Sequence, residues 1–207
     1  MRTAKAALPL ALLLAGCDAG GGLFAPAAEA PAEYRPQEAG TVDHALCLLG
    51  FTHVPVRNVR PGHQLVEASI NGVTGDFVLD TGANVTVVTR SQAERFGLPT
   101  QAGGVLGAGA ARFVGTSGTA SQVSVESFAV GPVAIRQRRV LITDLGQLLA
   151  VLGQTAGREV SGVIGQDVLE EHRAIIDVQR PMLYLMAEDK DPAPVPAEAC
   201  TAEAEAN

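Results

Sequence analysis

The chain has no tryptophan, no excess of positive charge, no paired-cysteine metal spacing and no apolar run long enough to cross a bilayer as a stable anchor. Each absence narrows the possibilities. Fifteen Lys and Arg stand against 22 Asp and Glu, a formal net charge of -7, which argues against a nucleic-acid partner. The densest basic cluster, Arg136, Arg138 and Arg139, reads as a solvated strand face. His44, His53, His63 and His172 are scattered singly and no Cys-x-x-Cys occurs, so neither a metal site nor a cofactor is expected. No internal repeat is found. Glycine and proline are abundant, at 23 and 12 of 207 residues. Hydrophobic content is 47%, which suffices for one domain with a sizeable core plus tails. This composition suits a turn-rich β protein better than a helical bundle.

Both ends read as lying outside the fold. Arg2 and Lys5 lead into an apolar run, Ala6 to Ala15, that closes in Leu14-Ala15-Gly16-Cys17. This arrangement resembles the lipobox of bacterial lipoproteins. The resemblance implies that residues 1–16 are a signal peptide and that Cys17 carries lipid. Acyl chains there would hold the protein on a membrane, each buried methylene contributing about 0.8 kcal/mol. Asp18 resembles the inner-membrane retention signal of Gram-negative lipoproteins, which implies the periplasmic face of the inner membrane. Residues 17–41 read as a flexible tether, 42–187 as the domain, and 188–207 as an acidic, largely disordered tail. Cys47 and Cys200 bracket the domain. In an oxidising compartment they would be bridged, stabilising by roughly 4–5 kcal/mol through chain entropy; the alternative is two free thiols.

Between the tails lies a series of short strands. His63 to Ile70 alternates by two, Asn71-Gly72 is a hairpin signal, and Thr74 to Leu79 returns. Val85 to Thr89 is a strand, and Ser91-Gln92-Ala93-Glu94 fits a capping box that opens a short helix ending near Gly97. Val123 to Val130 and Val133 to Ile142 read as strands joined through Gly131-Pro132. Leu145, Leu148, Leu149 and Leu152 have helical spacing, with Asp144 as N-cap and Gly153 as stop. A short helix from Gln166 to about His172 follows Val163-Ile164-Gly165. Ala174 to Val178 and Met182 to Leu185 close the domain around a turn at Gln179-Arg180-Pro181.

One stretch carries the chemistry: Phe77-Val78-Leu79-Asp80-Thr81-Gly82-Ala83-Asn84. An ionisable group between apolar strands is expensive to bury unless paired, and such carboxylates are candidate active-site groups. With Val163-Ile164-Gly165 downstream, it resembles the two motifs of the aspartic proteases, most nearly the single-lobed, retropepsin-like branch with its bacterial members. His63 to Leu185 spans the whole of such a lobe. The resemblance implies an all-β fold: a closed acid-protease-type β-barrel lobe with one or two short helices, active as a symmetric homodimer. It implies Asp80 as the catalytic carboxylate, with Thr81, Gly82, Ala83, Ile164 and Gly165 supporting its loop. Thr81 would brace the two loops across the dimer axis, and Gly82 would bring its N–H to the carboxylate. The Gly-rich span 103–121, with Gly104, Gly107 and Gly109, would be the flap; the alternative is a loop without catalytic part.

That chemistry needs two carboxylates sharing a proton. Asp144-Leu145-Gly146 is rejected as a partner because helical periodicity starts there, and Asp167 and Asp177 read as a helix N-terminal and a strand-exposed charge. The second carboxylate would therefore come from Asp80 of another copy. The expected activity is hydrolysis of peptide bonds in a peptide or protein substrate by carboxylate-activated water. Two departures from retroviral relatives stand out: Asn84 where they usually carry Asp, and Gln166 where they often carry Arg. The Leu145 to Leu152 helix also looks like an insertion. The departures leave an alternative: a non-catalytic periplasmic binding or scaffold lipoprotein that keeps the protease fold.

Overall fold

A computed structural model of the chain describes residues 33–59, 62–100, 120–187 and 193–201. In order, the elements are α1 (Val42–Leu48), β1 (Phe51–Val59), β2 (His63–Ile70), β3 (Val73–Leu79), β4 (Val87–Thr89) and α2 (Arg90–Ala93). Then come β5 (Ser121–Ser124), β6 (Phe128–Val130), β7 (Val133–Ala134), β8 (Arg139–Thr143) and α3 (Gly146–Ala156). The chain ends through β9 (Val160–Ile164), α4 (Gln166–Glu171), β10 (Ile175–Asp177) and β11 (Met182–Met186). Single 3-10 turns follow α2 at Glu94–Phe96 and close the tail at Ala197–Ala199.

The strands run β10-β11-β1-β2-β3-β9-β4-β8-β5, with β6 and β7 branching from β2. The described fold is mostly β with short helices, where an all-β closed barrel was expected, and its sheet is open. Its end strands, β10 and β5, have only three and four residues, and each pairs with a single neighbour. β1 changes partner in mid-strand, from β11 over Phe51–Pro55 to β2 over Val56–Val59. Pro55 stands at that handover, and it has no N–H to give to a continuing ladder.

β3 is the central strand, antiparallel to β2 and parallel to β9. Phe77 packs into the larger apolar cluster and Val78 into a second one on the opposite face. Both faces are thus covered, which explains a run of apolar residues where a half-exposed strand would alternate. The hairpin before it follows from its turn: Asn71 and Gly72 hold φ of 52° and 77°, a conformation Gly and Asn adopt at least cost.

Helix boundaries depart from the expected ones. Among the described residues there are four α-helices, more than the one or two short helices that the resemblance implied. No capping box forms at Ser91; α2 begins at Arg90 with Thr89 at its N-cap, and Thr89 Oγ1 accepts instead from Leu145 N at 3.2 Å. In α3 the N-cap is Leu145, while Asp144 Oδ1 accepts from Gly146 N at 2.9 Å. Gly153 does not stop this helix. It lies inside, where a Cβ would stand 2.7 Å from Arg158 O, so glycine admits the chain crossing back. The stop is Gly157, at φ 63°.

The sequence reading assigned no element to α1 or β1. Asp43 in α1 is fully buried, and its Oδ1 accepts from Tyr184 Oη at 2.6 Å and Arg180 Nη2 at 2.9 Å. Arg180 Nε in turn donates to Asp177 Oδ2 at 2.7 Å. Arg35 N donates to Asp43 Oδ2 at 2.8 Å, and the Tyr34 ring stacks on His53 at 4.3 Å. Tyr34 and Arg35, inside the expected tether, therefore pack against β1 and α1. Cys47 and Cys200 form a disulfide, and Val195 N donates to Leu48 O at 2.8 Å beside it.

Candidate active site

Asp80 is the first residue past β3, and it is solvent-exposed rather than enclosed between strands. Its backbone is fixed from two sides. Asp80 N donates to Ile164 O of β9 at 3.1 Å, and Ala83 N donates to Asp80 O at 3.2 Å to close the turn. Gly82 N donates to Asp80 Oδ1 at 2.8 Å, which orients the carboxylate. A Cβ on residue 82 would approach that same oxygen to 3.2 Å, so glycine suits the contact. The Thr81 side chain is exposed and makes no hydrogen bond among the described residues.

The second motif lies directly beneath this loop. A Cβ at Gly165 would fall 2.5 Å from Val85 C, 2.6 Å from Val85 O and 2.9 Å from Ala83 O. Only glycine permits that approach. Gln166 N donates to Ala83 O and Gln166 Nε2 to Thr81 O, both at 2.8 Å. The side chain at the position of an expected lost ion pair therefore holds the loop through a carbonyl. Ile164 is fully buried, while Ala83 and Val85 pack against the apolar cluster of Val78 and Val163.

Two residues of this support were not recognised in the sequence. Thr86 is fully buried; its Oγ1 donates to Asp167 Oδ1 at 2.7 Å and accepts from Gly165 N at 3.1 Å. Asp167 does sit in the first turn of α4, as read. It also accepts from Thr86 N at 2.9 Å and Gln137 Nε2 at 3.0 Å, which the sequence did not reveal. The available signal was Thr86 itself, one hydroxyl in the apolar run Val85 to Val88, since a buried hydroxyl needs a partner.

The other candidate carboxylates are engaged elsewhere: Asp144 at the start of α3, Asp167 on Thr86, Asp177 on Arg180. Asp177 is thus ion-paired rather than a free strand charge. Gly104, Gly107, Gly109 and Cys17 lie outside the described residues. Among the described residues no three His, Cys, Asp or Glu side chains gather as a metal ion would require.

An exposed aspartate at a strand end, braced by glycine and by a second apolar-Gly strand end, is a scaffold for carboxylate chemistry on a sheet rim. The family model described as aspartyl protease matches residues 66–168, which takes in both motifs. The chain belongs to the aspartyl protease family. Among solved structures it is similar to a retropepsin-like aspartic protease from Rickettsia conorii, at 19% identity and TM-score 0.43, over 65% of this chain and 89% of that one. It is also similar to the retroviral protease-like domain of Ddi1 from Leishmania major, at 17% identity and TM-score 0.40, over 64% and 94% of the two chains. The EIAV protease, in complex with the inhibitor HBY-793, is similar at 19% identity and TM-score 0.40, over 57% and 95%. No curated protein matches the chain.

Proposed function

We propose that the protein is an aspartic endopeptidase that works as a symmetric homodimer, each copy contributing Asp80. The observation that carries this reading is the fixing of Asp80 at an exposed strand end by Gly82 N–H and by β9. A single exposed carboxylate supplies half of a proton-sharing pair. In the pair, one ionised Asp80 takes a proton from water as the water oxygen attacks the scissile carbonyl carbon. The protonated partner donates a hydrogen bond to the carbonyl oxygen as charge develops there. The tetrahedral species then collapses, and the proton returns to the leaving nitrogen. No covalent bond to the enzyme is required.

The expected setting follows from Leu14 to Cys17: lipid on Cys17 after loss of residues 1–16, and the periplasmic face of the inner membrane. Confinement to one surface would raise the effective concentration of copies and favour pairing.

The test uses the full chain in detergent with a peptide library and its Asp80→Asn variant. The parent is expected to cleave, and the variant to lose at least about a thousandfold in kcat/KM while keeping its sedimentation behaviour. Equal cleavage by both proteins would overturn the reading. A strict monomer that cleaves nothing would favour the scaffold alternative.

A further inference from the structure

A cleft of about 280 Å³ opens between the end of β1 and the α3–β9 connection, lined by Arg57, Asn58, Val59, Leu65, Ala156 and Arg158. Both arginines are held by one carboxylate. Asp76 of β3 is buried; its Oδ1 accepts from Arg57 Nη2, and its Oδ2 forms an ion pair with Arg158 Nε at 2.7 Å. The cluster therefore keeps one positive charge in surplus, in a chain whose net charge is -7. Each guanidinium has five N–H donors. Apart from those given to Asp76, none is bonded among the described residues, and the two side chains are 44% and 48% exposed. Asn58 accepts from Gln64 Nε2 through Oδ1, which leaves its amide N–H groups as further donors. Glu67 stands opposite Asp76 in the β2–β3 register but neither lines the cleft nor pairs with either arginine.

We propose that this cleft binds an acidic side chain of the peptide substrate, three to four residues from the scissile bond; the proposal rests on the protease reading. The arginine groups offer donors only, and a surplus of one charge matches a monoanionic carboxylate better than a dianion. Val59, Leu65 and Ala156 give the walls an apolar surface suited to the methylene stem of glutamate. These walls belong to the same apolar cluster as Val78, Ala83 and Val85, so the cleft and the Asp80 loop share one supporting layer. Asp76 lies in β3 and Asp80 follows one residue past its end, four positions on, which is about 13 Å at the usual rise. An extended peptide has nearly the same rise, so it covers that span in about four residues.

The experiment measures binding to the full-length Asp80→Asn protein by fluorescence polarisation. The probes are labelled, end-blocked decapeptides of Ala, Val and Leu carrying one Glu or one Gln at each position in turn. At the position three or four from the centre, Glu is expected to bind roughly tenfold more tightly than Gln. Arg57→Gln and Arg158→Gln should shrink that ratio below about twofold with the Gln peptide unaffected, while Arg158→Lys retains part of it. Because Asp76 loses a partner in these variants, melting curves accompany them; the Glu-to-Gln comparison on the unaltered cleft needs no variant. Equal affinity for Glu and Gln at every position overturns the cleft proposal. A parallel cleavage assay on the parent chain separates the two readings. Cleavage without Glu preference overturns the cleft alone, and Glu preference without cleavage overturns the protease reading and with it the substrate role.

Discussion

Gly165 shows how tightly residue identity is set around Asp80. An alanine there would place its Cβ 2.5 Å from Val85 C, so the loop must move. Gly165→Ala is expected to destabilise by about 1–3 kcal/mol in urea unfolding and to depress any peptidase activity further, since the displaced loop carries Asp80. Thr86→Val keeps the volume but removes the hydroxyl. It leaves Gly165 N–H without its acceptor and takes one donor from Asp167, a loss expected near 2 kcal/mol by the same measurement. The sequence made Asp80, Gly82, Ile164 and Gly165 legible, because an acidic residue and a glycine at the ends of apolar runs are locally unusual. Thr86 and Asp167 were not: the Thr86 hydroxyl interrupts an apolar run, but its partner lies 81 positions away and nothing local points to it. Asp80 was read at the end of an apolar strand, and it lies one residue beyond β3, exposed to water.

Among the elements, β2, β3 and their turn were legible to within a residue, because alternation and Asn-Gly act locally. β1 was not, because Pro55 and the polar residues His53, Arg57 and Asn58 obscure its period; only its two partners make it a strand. The capping-box reading failed for a related reason, as Thr89 is drawn into a long-range bond with Leu145. The contact of α1 with β11 leads to a pH prediction. Burial would raise the Asp43 carboxyl, but bonds from Tyr184, Arg180 and Arg35 N–H outweigh it and hold it below the usual carboxylate value. Hydrogen bonds from Arg180 likewise hold Asp177 low. Burial lowers the His53 imidazole, opposed by the Asp43 charge. All three have folded values below their unfolded ones, so the unfolded chain takes up protons first as pH falls. The stability they contribute is complete at neutral pH. It declines first through His53 below about 6.5 and then through the two aspartates below about 4. Urea midpoints from pH 7 to pH 3 should fall in those two stages, and Tyr184→Phe should weaken the second.

At the scale of the whole molecule, the covalent tie between Cys47 and Cys200 joins residues 153 positions apart. Reduction is expected to lower unfolding stability by roughly 2–5 kcal/mol, read as a shift of the urea midpoint with and without a phosphine reductant. The open sheet was not legible because closure depends on whether the two edge strands pair with each other, and β10 and β5 each pair with one inner neighbour instead. That same bridge has a practical consequence for anyone who treats the protein with proteases. Residues 47–200 form a ring. A single cut anywhere inside it opens the ring without releasing a fragment, so a nicked molecule migrates as one species until reductant is added. Two bands appearing only with reductant would report the cut site; an intact-looking band without it would not prove an intact chain.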